Sequence, residues 1–356
     1  MTETPIGVAL IGCGKISRKH IRVIESIPDL QLVAVYDEQR DRAEEAARKV
    51  PGCRVLDSLD EVSRNDDVDL GIVCTPSGLH GSQGAQLAEA GKHVVVEKPM
   101  ALLIEEADAL IEICDRFGVK LFVVKQNRYN VPVRKAREAL EAGRLGKVFL
   151  GEVRVLWSRS QEYYDAEPWR GTWQYDGGVL TNQASHHIDL LIWMMGDVES
   201  VFAKGRTVGH EIEVEDTGVV LLKFRGGGLG VIQASTCIQP HDLEGSLLLY
   251  GEKGTVEIGG FAANQMRTWS FLEPVPEDEK VMADFGQNPD EFAYSHREFY
   301  LDVVRTLRSK RQALIDGIEG RKSLEVINAI YESMETGREV FLRFEPRRVR
   351  LGHGPK

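Results

Sequence analysis

Six short runs rich in Val, Ile and Leu alternate with helical patterns over the first 125 residues. The runs lie at 6–11, 30–36, 53–56, 69–74, 93–96 and 120–124, and the helical patterns at 16–24, 41–49, 58–64, 79–90 and 104–117. Strands alternating with helices imply a parallel sheet wound on both faces. In an open sheet of this kind, ligands bind just outside the carboxyl ends of the strands. The residues that close each run are therefore the first place to look for chemistry.

The first run ends in Gly12-Cys13-Gly14 and opens a helix through Lys15, Ile16 and Ser17. The first glycine of such a turn permits its tight geometry. The second lets backbone amides approach a pyrophosphate at the positive helix N-terminus. Ser17 stands where the full dinucleotide fingerprint has a third glycine. A Gly-x-Gly alone is weak evidence, but here it follows a strand, precedes a helix, and is followed by Asp37 at the end of the next strand. A carboxylate there accepts from the adenosine ribose hydroxyls and repels a 2′-phosphate, so NAD is expected rather than NADP. Arg40 and Arg42 lie close enough to soften that repulsion, or simply form a solvated helix face. Thr75-Pro76-Ser77 and His80 follow the fourth strand on the same sheet edge. His80 reads equally as a cofactor contact or as an ordinary helix-start residue.

The fifth run, Val94-Val95-Val96, ends in Glu97-Lys98-Pro99. A lysine at a strand end can hydrogen-bond a substrate alcohol and stabilise developing alkoxide charge. Beside a cationic nicotinamide in a partly desolvated pocket its pKa would fall, which suits a general base. A surface lysine is the plainer reading, but Pro99 stiffens the loop and the strand before it is apolar. Further along stand Gly177-Gly178, Asn182, His186 and Asp189. His186 is a candidate partner in proton transfer or a histidine satisfied on a helix face. Asp189 could orient it or serve structure alone.

Beyond residue 125 the pattern changes. A helical segment at 131–142, ended by Gly143 and Gly146, precedes period-two stretches at 147–158, 199–208, 214–225, 228–238 and 243–258. Helical segments at 289–308 and 318–336 follow. Such a succession implies a large, mostly antiparallel open sheet. A chain of 356 residues exceeds the usual single domain. The expected division is an NAD-binding Rossmann domain over 1–125 and a substrate-binding and oligomerisation domain over 126–356. The fold class is α/β throughout.

A net charge of -11 argues against nucleic-acid binding, and it means that an anionic substrate would need local arginines. No apolar run approaches the roughly 20 residues of a membrane span. The N-terminus has no signal-peptide pattern, and the five scattered cysteines fit reduced thiols, so a cytoplasmic protein is expected. Histidines 20, 93, 210, 241, 296 and 353 show no ligand spacing, and no metal is expected.

Taken together, Gly12-Cys13-Gly14, Thr75-Pro76-Ser77-x-x-His80, Gly91-Lys92-His93-Val94, Glu97-Lys98-Pro99, Gly143-Arg144-Leu145-Gly146, Trp169-Arg170, Gly177-Gly178 and His186 resemble the glucose–fructose oxidoreductase and inositol dehydrogenase family. The motifs span nearly the whole chain. The resemblance implies a catalytic Lys98 touching both substrate and nicotinamide, a catalytic His186, and Trp169-Arg170 near the nicotinamide side. It also implies cofactor contacts at Glu97 and Gln126, and assembly through the open sheet, with a homotetramer expected. The commoner family pattern has aspartate where this chain has Asn182. That departure puts an Asp-His relay in doubt, because an amide takes up no proton at neutral pH.

Asn182 and its surroundings narrow the resemblance. The runs Lys125–Asn130, Tyr163-Tyr164, Trp169–Trp173 and Asn182–His187 are similar to UDP-N-acetylglucosaminuronate 3-dehydrogenases, which serve bacterial surface polysaccharide (O-antigen) synthesis. Candidate substrate contacts are then Lys98, Arg128, Tyr129, Arg159, Tyr163, Tyr164, Trp173, Asn182, His186 and His187. Guanidinium groups pair with carboxylate or phosphate, and aromatic rings could cover a sugar or uracil. Core packing is the alternative for each aromatic. A polyol or free-sugar dehydrogenase remains the second functional reading, and a non-catalytic NAD-binding regulator the third. Retention of Lys98 and His186 argues against the regulator.

Overall fold

The computed structural model describes residues 4–343, apart from 290, 292 and 310. Strands β1 (Ile6–Ile11), β2 (Leu30–Tyr36), β3 (Arg54–Val55), β4 (Leu70–Val73), β5 (His93–Val96) and β6 (Leu121–Val123) form one parallel sheet in the order β3-β2-β1-β4-β5-β6. The winding reverses between β1 and β4, where the two strands pair in parallel from Val8 opposite Leu70 to Ile11 opposite Val73. A crevice opens at the carboxyl ends of strands flanking such a reversal. Gly12, Cys74 and Glu97 stand at those ends, tied to the neighbouring strand by Gly12 N–H to Tyr36 O (2.8 Å), Cys74 N–H to Ile11 O (2.7 Å) and Glu97 N–H to Val73 O (3.0 Å). β1 and β4 are buried along their whole length, because helices cover both faces.

The second sheet has eight strands: β7 (Val148–Leu156), β8 (Val198–Arg206), β9 (Thr217–Phe224), β10 (Leu229–Ser235), β11 (Glu244–Gly251), β12 (Gly254–Gly259), β13 (Gln265–Phe271) and β14 (Val340–Phe341). Their order is β13-β12-β11-β7-β10-β9-β8-β14, and every pairing is antiparallel except β7 with β10. The stretch 243–258, read from sequence as one unit, is a hairpin that turns at Glu252-Lys253. β13 and β14 were not anticipated, since polar residues interrupt the first and the second has only two residues.

One face of this sheet packs Val153, Val155, Val220, Leu222 and Ile232 against the helices Ser185–Met195 and Gly317–Thr336. The other leaves Phe202, Val219, Leu221 and Leu229 between about a third and three-fifths exposed. The helix Tyr294–Arg308 starts later than the sequence pattern implies, and residues 290 and 292 lie outside the described set. It carries Phe299, Tyr300 and Val303 back into the core of the first sheet. Residues near both ends of the chain therefore share one core with the Glu97-Lys98 loop.

Candidate active site

One cleft of about 660 Å³ runs from the glycine turn after β1 to Lys98 and His186. Every residue singled out for the cofactor lines it: Gly12, Gly14, Lys15, Ile16, Asp37, Thr75, Pro76, His80, Glu97, Lys98, Gln126, Trp169 and Arg170. Gly12 has φ +91°, and a β-carbon there would lie 2.7 Å from the carbonyl carbon of Cys74. Only glycine fits that close approach. At Gly14 a β-carbon would meet nothing within 4 Å and would project into open space. The turn thus leaves a bare backbone cradle at the start of the helix Ser17–Glu25, which suits a pyrophosphate. Asp37 is held by Cys13 N–H (2.7 Å) and Gln39 N–H (2.8 Å), so its carboxylate is fixed where a ribose would lie. These features fit a dinucleotide.

Lys98 sits on the turn after β5. Its Nζ donates to both the backbone carbonyl (2.9 Å) and the side-chain carbonyl (3.0 Å) of Asn182. The Asn182 amide nitrogen donates in turn to Asp176 (2.6 Å), and the other Asp176 oxygen accepts from Gly171 N–H (2.9 Å). The amide is thereby oriented with its oxygen toward the lysine. Desolvation lowers the Lys98 pKa and Arg170 adds to this, while Glu97 and Asp176 oppose it. A neutral amine has two N–H groups and one lone pair. Both N–H groups are committed to Asn182, which leaves the lone pair as the proton acceptor.

His186, on the helix Ser185–Met195, meets the side-chain nitrogen of Gln126 through Nε2 at 3.2 Å. Desolvation, followed by the charge of Lys98, brings its pKa down to about 3. It is a neutral imidazole at physiological pH. Asp189 does not orient it. That carboxylate accepts instead from Lys125 (2.7 Å) and, at both oxygens, from Arg128 (2.7 and 2.8 Å).

Several residues assigned to substrate from sequence lie elsewhere. Arg128 is 1% exposed and its remaining nitrogen pairs with Glu319 at 2.9 Å, so it is buried away from any ligand. Tyr129 is buried against Phe299 and donates to Asp302 (2.9 Å). Tyr164 is buried on Thr236 (2.9 Å). His187 is enclosed against Trp157, with neither ring nitrogen bonded among the described residues. Arg159 lies outside the cleft lining, paired with Asp242 (3.0 Å) and set against Trp157, Tyr163 and Phe261. Trp173 is half exposed and edges onto Tyr331, also outside the lining. Lys98, Tyr163, Asn182 and His186 do meet in the cleft. Tyr163 accepts from Arg170 at 2.6 Å, and the Arg170 guanidinium lies 4.5 Å from both the Tyr163 and Trp169 rings.

His80 spans the Pro99 carbonyl (2.7 Å) and the Thr75 carbonyl (2.8 Å), fastening the loop after β4 to the Lys98-Pro99 turn. Sequence reasoning missed what lies beneath Lys98. Glu97 accepts from its backbone N–H (3.0 Å) and from His20 (2.8 Å), whose other nitrogen meets Tyr300 (2.7 Å). Burial alone would raise the Glu97 pKa, but the His20 bond and the neighbouring positive charges hold it well below the usual carboxylate range. His296 joins this group from the helix Tyr294–Arg308 and reaches the cleft wall. No spacing signal links residues 20, 97 and 296. Ligand-type atoms also converge at His210, Asp216 and Cys237, but there Asp216 is taken up by His210 and by backbone amides of 208 to 210.

Residues 6–125 match the model of an oxidoreductase family with an NAD-binding Rossmann fold, and residues 133–257 match the GFO/IDH/MocA C-terminal domain. Among solved structures, the WlbA dehydrogenase from Bordetella pertussis in complex with NADH and UDP-GlcNAcA is 41% identical. The alignment covers 97% of this chain and 100% of that one, with a TM-score of 0.93. The corresponding complex from Chromobacterium violaceum is also 41% identical, over 97% of this chain and 98% of that one, with a TM-score of 0.91. A myo-inositol 2-dehydrogenase from Thermotoga maritima is 29% identical over 351 residues, or 94% of this chain and 98% of that protein.

Proposed function

The chain belongs to the GFO/IDH/MocA oxidoreductase family and is an NAD-dependent dehydrogenase, and on that premise we propose that it oxidises the C3 hydroxyl of UDP-N-acetylglucosaminuronate to the 3-keto sugar nucleotide, for bacterial surface polysaccharide such as O-antigen. The observation that carries the reading is the pairing of Lys98 with Asn182 in a cleft it shares with His186 and the dinucleotide cradle. The likeness to two dehydrogenases crystallised with NADH and UDP-GlcNAcA supports the sugar-nucleotide substrate.

When bound, NAD supplies the two-electron acceptor. Asn182 holds two N–H groups of Lys98, so the amine's lone pair takes the proton from the substrate hydroxyl as the ketone forms. His186, neutral and steadied by Gln126, hydrogen-bonds the same oxygen. Trp169 and Arg170 wall the cleft at the reacting end and limit water there. With Arg128 sequestered, Arg170 is an arginine of the cleft lining available to the substrate's anionic groups.

Self-association is part of this proposal. Phe202, Val219, Leu221 and Leu229 form an apolar stripe on the outer face of the second sheet, which supports pairing of two copies there and a homotetramer overall. The second reading, a polyol dehydrogenase, is supported by the inositol dehydrogenase relative. The experiment is a thermal-shift screen with NAD present, followed by mass spectrometry of products with a coupled transaminase to draw off ketone. UDP-N-acetylglucosaminuronate should stabilise the protein and yield a 3-keto product. The proposal fails if it does neither while myo-inositol or glucose is oxidised.

A further inference from the structure

The cleft carries an ion pair at the Asp37 end that the reaction does not use. Two arginines follow Asp37, and either could in principle compensate a ribose 2′-phosphate. Arg40 is turned away, bonded to Glu44 (2.9 Å) and to Asp57. Arg42 is the arginine of the two that lines the cleft, and its terminal nitrogen lies 3.2 Å from each carboxylate oxygen of Glu167. Glu167 also lines the cleft and comes from 125 residues further along the chain. Its carbonyl accepts from Arg170 N–H (3.0 Å), so the turn that places Trp169 and Arg170 also places this carboxylate. Neither side chain is free in solvent: Arg42 is 36% exposed and Glu167 17%.

We infer that Glu167 is a cofactor-specificity residue. By occupying Arg42, it removes the guanidinium that a 2′-phosphate would need, on the side of the cleft where Asp37 already repels one. Exclusion of NADP is therefore shared between a strand-end residue of the first sheet and a loop residue that reaches over from the second half of the chain. A plain latch between the two halves would hold both cofactors alike, whereas a specificity residue acts on one of them.

This inference rests on the NAD-binding reading, and the test separates the two. Dissociation constants of NADH and NADPH are measured on the full chain, by energy transfer from tryptophan to nicotinamide. The proteins are wild type, Glu167→Gln, Arg42→Ala and the double variant, each checked for folding by circular dichroism. Wild-type NADH binding reports the cofactor reading itself, and the NADPH-to-NADH ratio reports Glu167. Glu167→Gln should tighten NADPH by about tenfold relative to NADH, the worth of one partly screened arginine–phosphate pair. Arg42→Ala alone should leave the ratio within about twofold, and in the Glu167→Gln background it should abolish the gain. Equal changes for both cofactors, no change in the ratio, or a gain that persists without Arg42 would each overturn the inference.

Discussion

Replacing Asn182 by aspartate should impair the enzyme in a defined way. The side-chain oxygen of Asn182 lies 3.0 Å from the Lys98 amine. A full negative charge there favours the protonated lysine. At an effective dielectric near 20, two unit charges about 3 Å apart attract by roughly 5 kcal/mol, which sets an upper bound. Two effects reduce it. The new carboxylate would face Asp176, which now accepts from the Asn182 amide at 2.6 Å, and two carboxylates so close share a proton. Asp176 already has a raised pKa, mainly from burial, so it is ready to take that proton, and its own charge, which now raises the Lys98 pKa, is then lost. With both effects in place, Lys98 should titrate about one to three pH units higher than in the wild type.

Because the base must be deprotonated, the acidic limb of the kcat/KM–pH profile moves to higher pH by that amount. Below the limb, activity falls about tenfold for each pH unit that the limb moves, and it returns at high pH. Asp176→Asn removes a charge that raises the Lys98 pKa, so its limb should move to lower pH. The assay is NAD reduction across a pH series for the three proteins, with NADH affinity as the control for folding. An unmoved limb in Asn182→Asp, or one that moves to lower pH, would refute the role given to Lys98 and Asn182.

Two further outcomes follow from the buried polar groups. Arg128→Ala leaves the buried Asp189 carboxylate, which Arg128 and Lys125 now hold well below the usual range against the cost of burial, to Lys125 alone; the loss should be about 3 kcal/mol in denaturant unfolding, at the low end for a broken buried pair because one cation remains, and an effect under about 1 kcal/mol would contradict the pairing. Burial depresses His187 to about 4, so the unfolded chain takes up a proton between about pH 6.5 and 4 that the folded chain refuses. Stability therefore declines through that window as pH falls, by about 2 kcal/mol from this group at pH 5, and His187→Leu should flatten the Tm–pH slope there whatever offset it adds at neutral pH. Light scattering should report a species well above the 39.8 kDa of one chain at micromolar concentration, and a monomer would remove the apolar-stripe argument.

The features readable from sequence were those whose cause is local. Gly12, Gly14, Asp37 and Lys98 each close a strand of a parallel sheet, and such ends converge at one edge whatever the rest of the chain does. The β11–β12 hairpin was missed because a two-residue turn at Glu252-Lys253 barely interrupts the alternation of apolar positions. Arg128 was misplaced for another reason. A guanidinium signals an anionic partner but not which one, and its partners are side chains 61 and 191 residues away. The same distance problem hid His20 under Glu97, His296 on the cleft wall and Glu167 on Arg42. Asn182 was readable as a departure, but its meaning needed the geometry: an uncharged acceptor that aims the lysine without adding a negative charge beside it.

The most direct test of Lys98 as the base is Lys98→Met, followed through a single turnover with UDP-N-acetylglucosaminuronate and excess protein. The methionine keeps the length of the side chain while removing the proton acceptor and its bonds to Asn182. NADH formation should fall by at least about a thousandfold, as expected when a positioned base and its hydrogen bond to the reacting oxygen are both removed. NADH affinity should stay within severalfold of wild type, since the dinucleotide cradle at Gly12 and Gly14 is untouched. Turnover within severalfold of wild type would contradict the assignment of Lys98 as the base, and with it the mechanism built on Asn182 and His186.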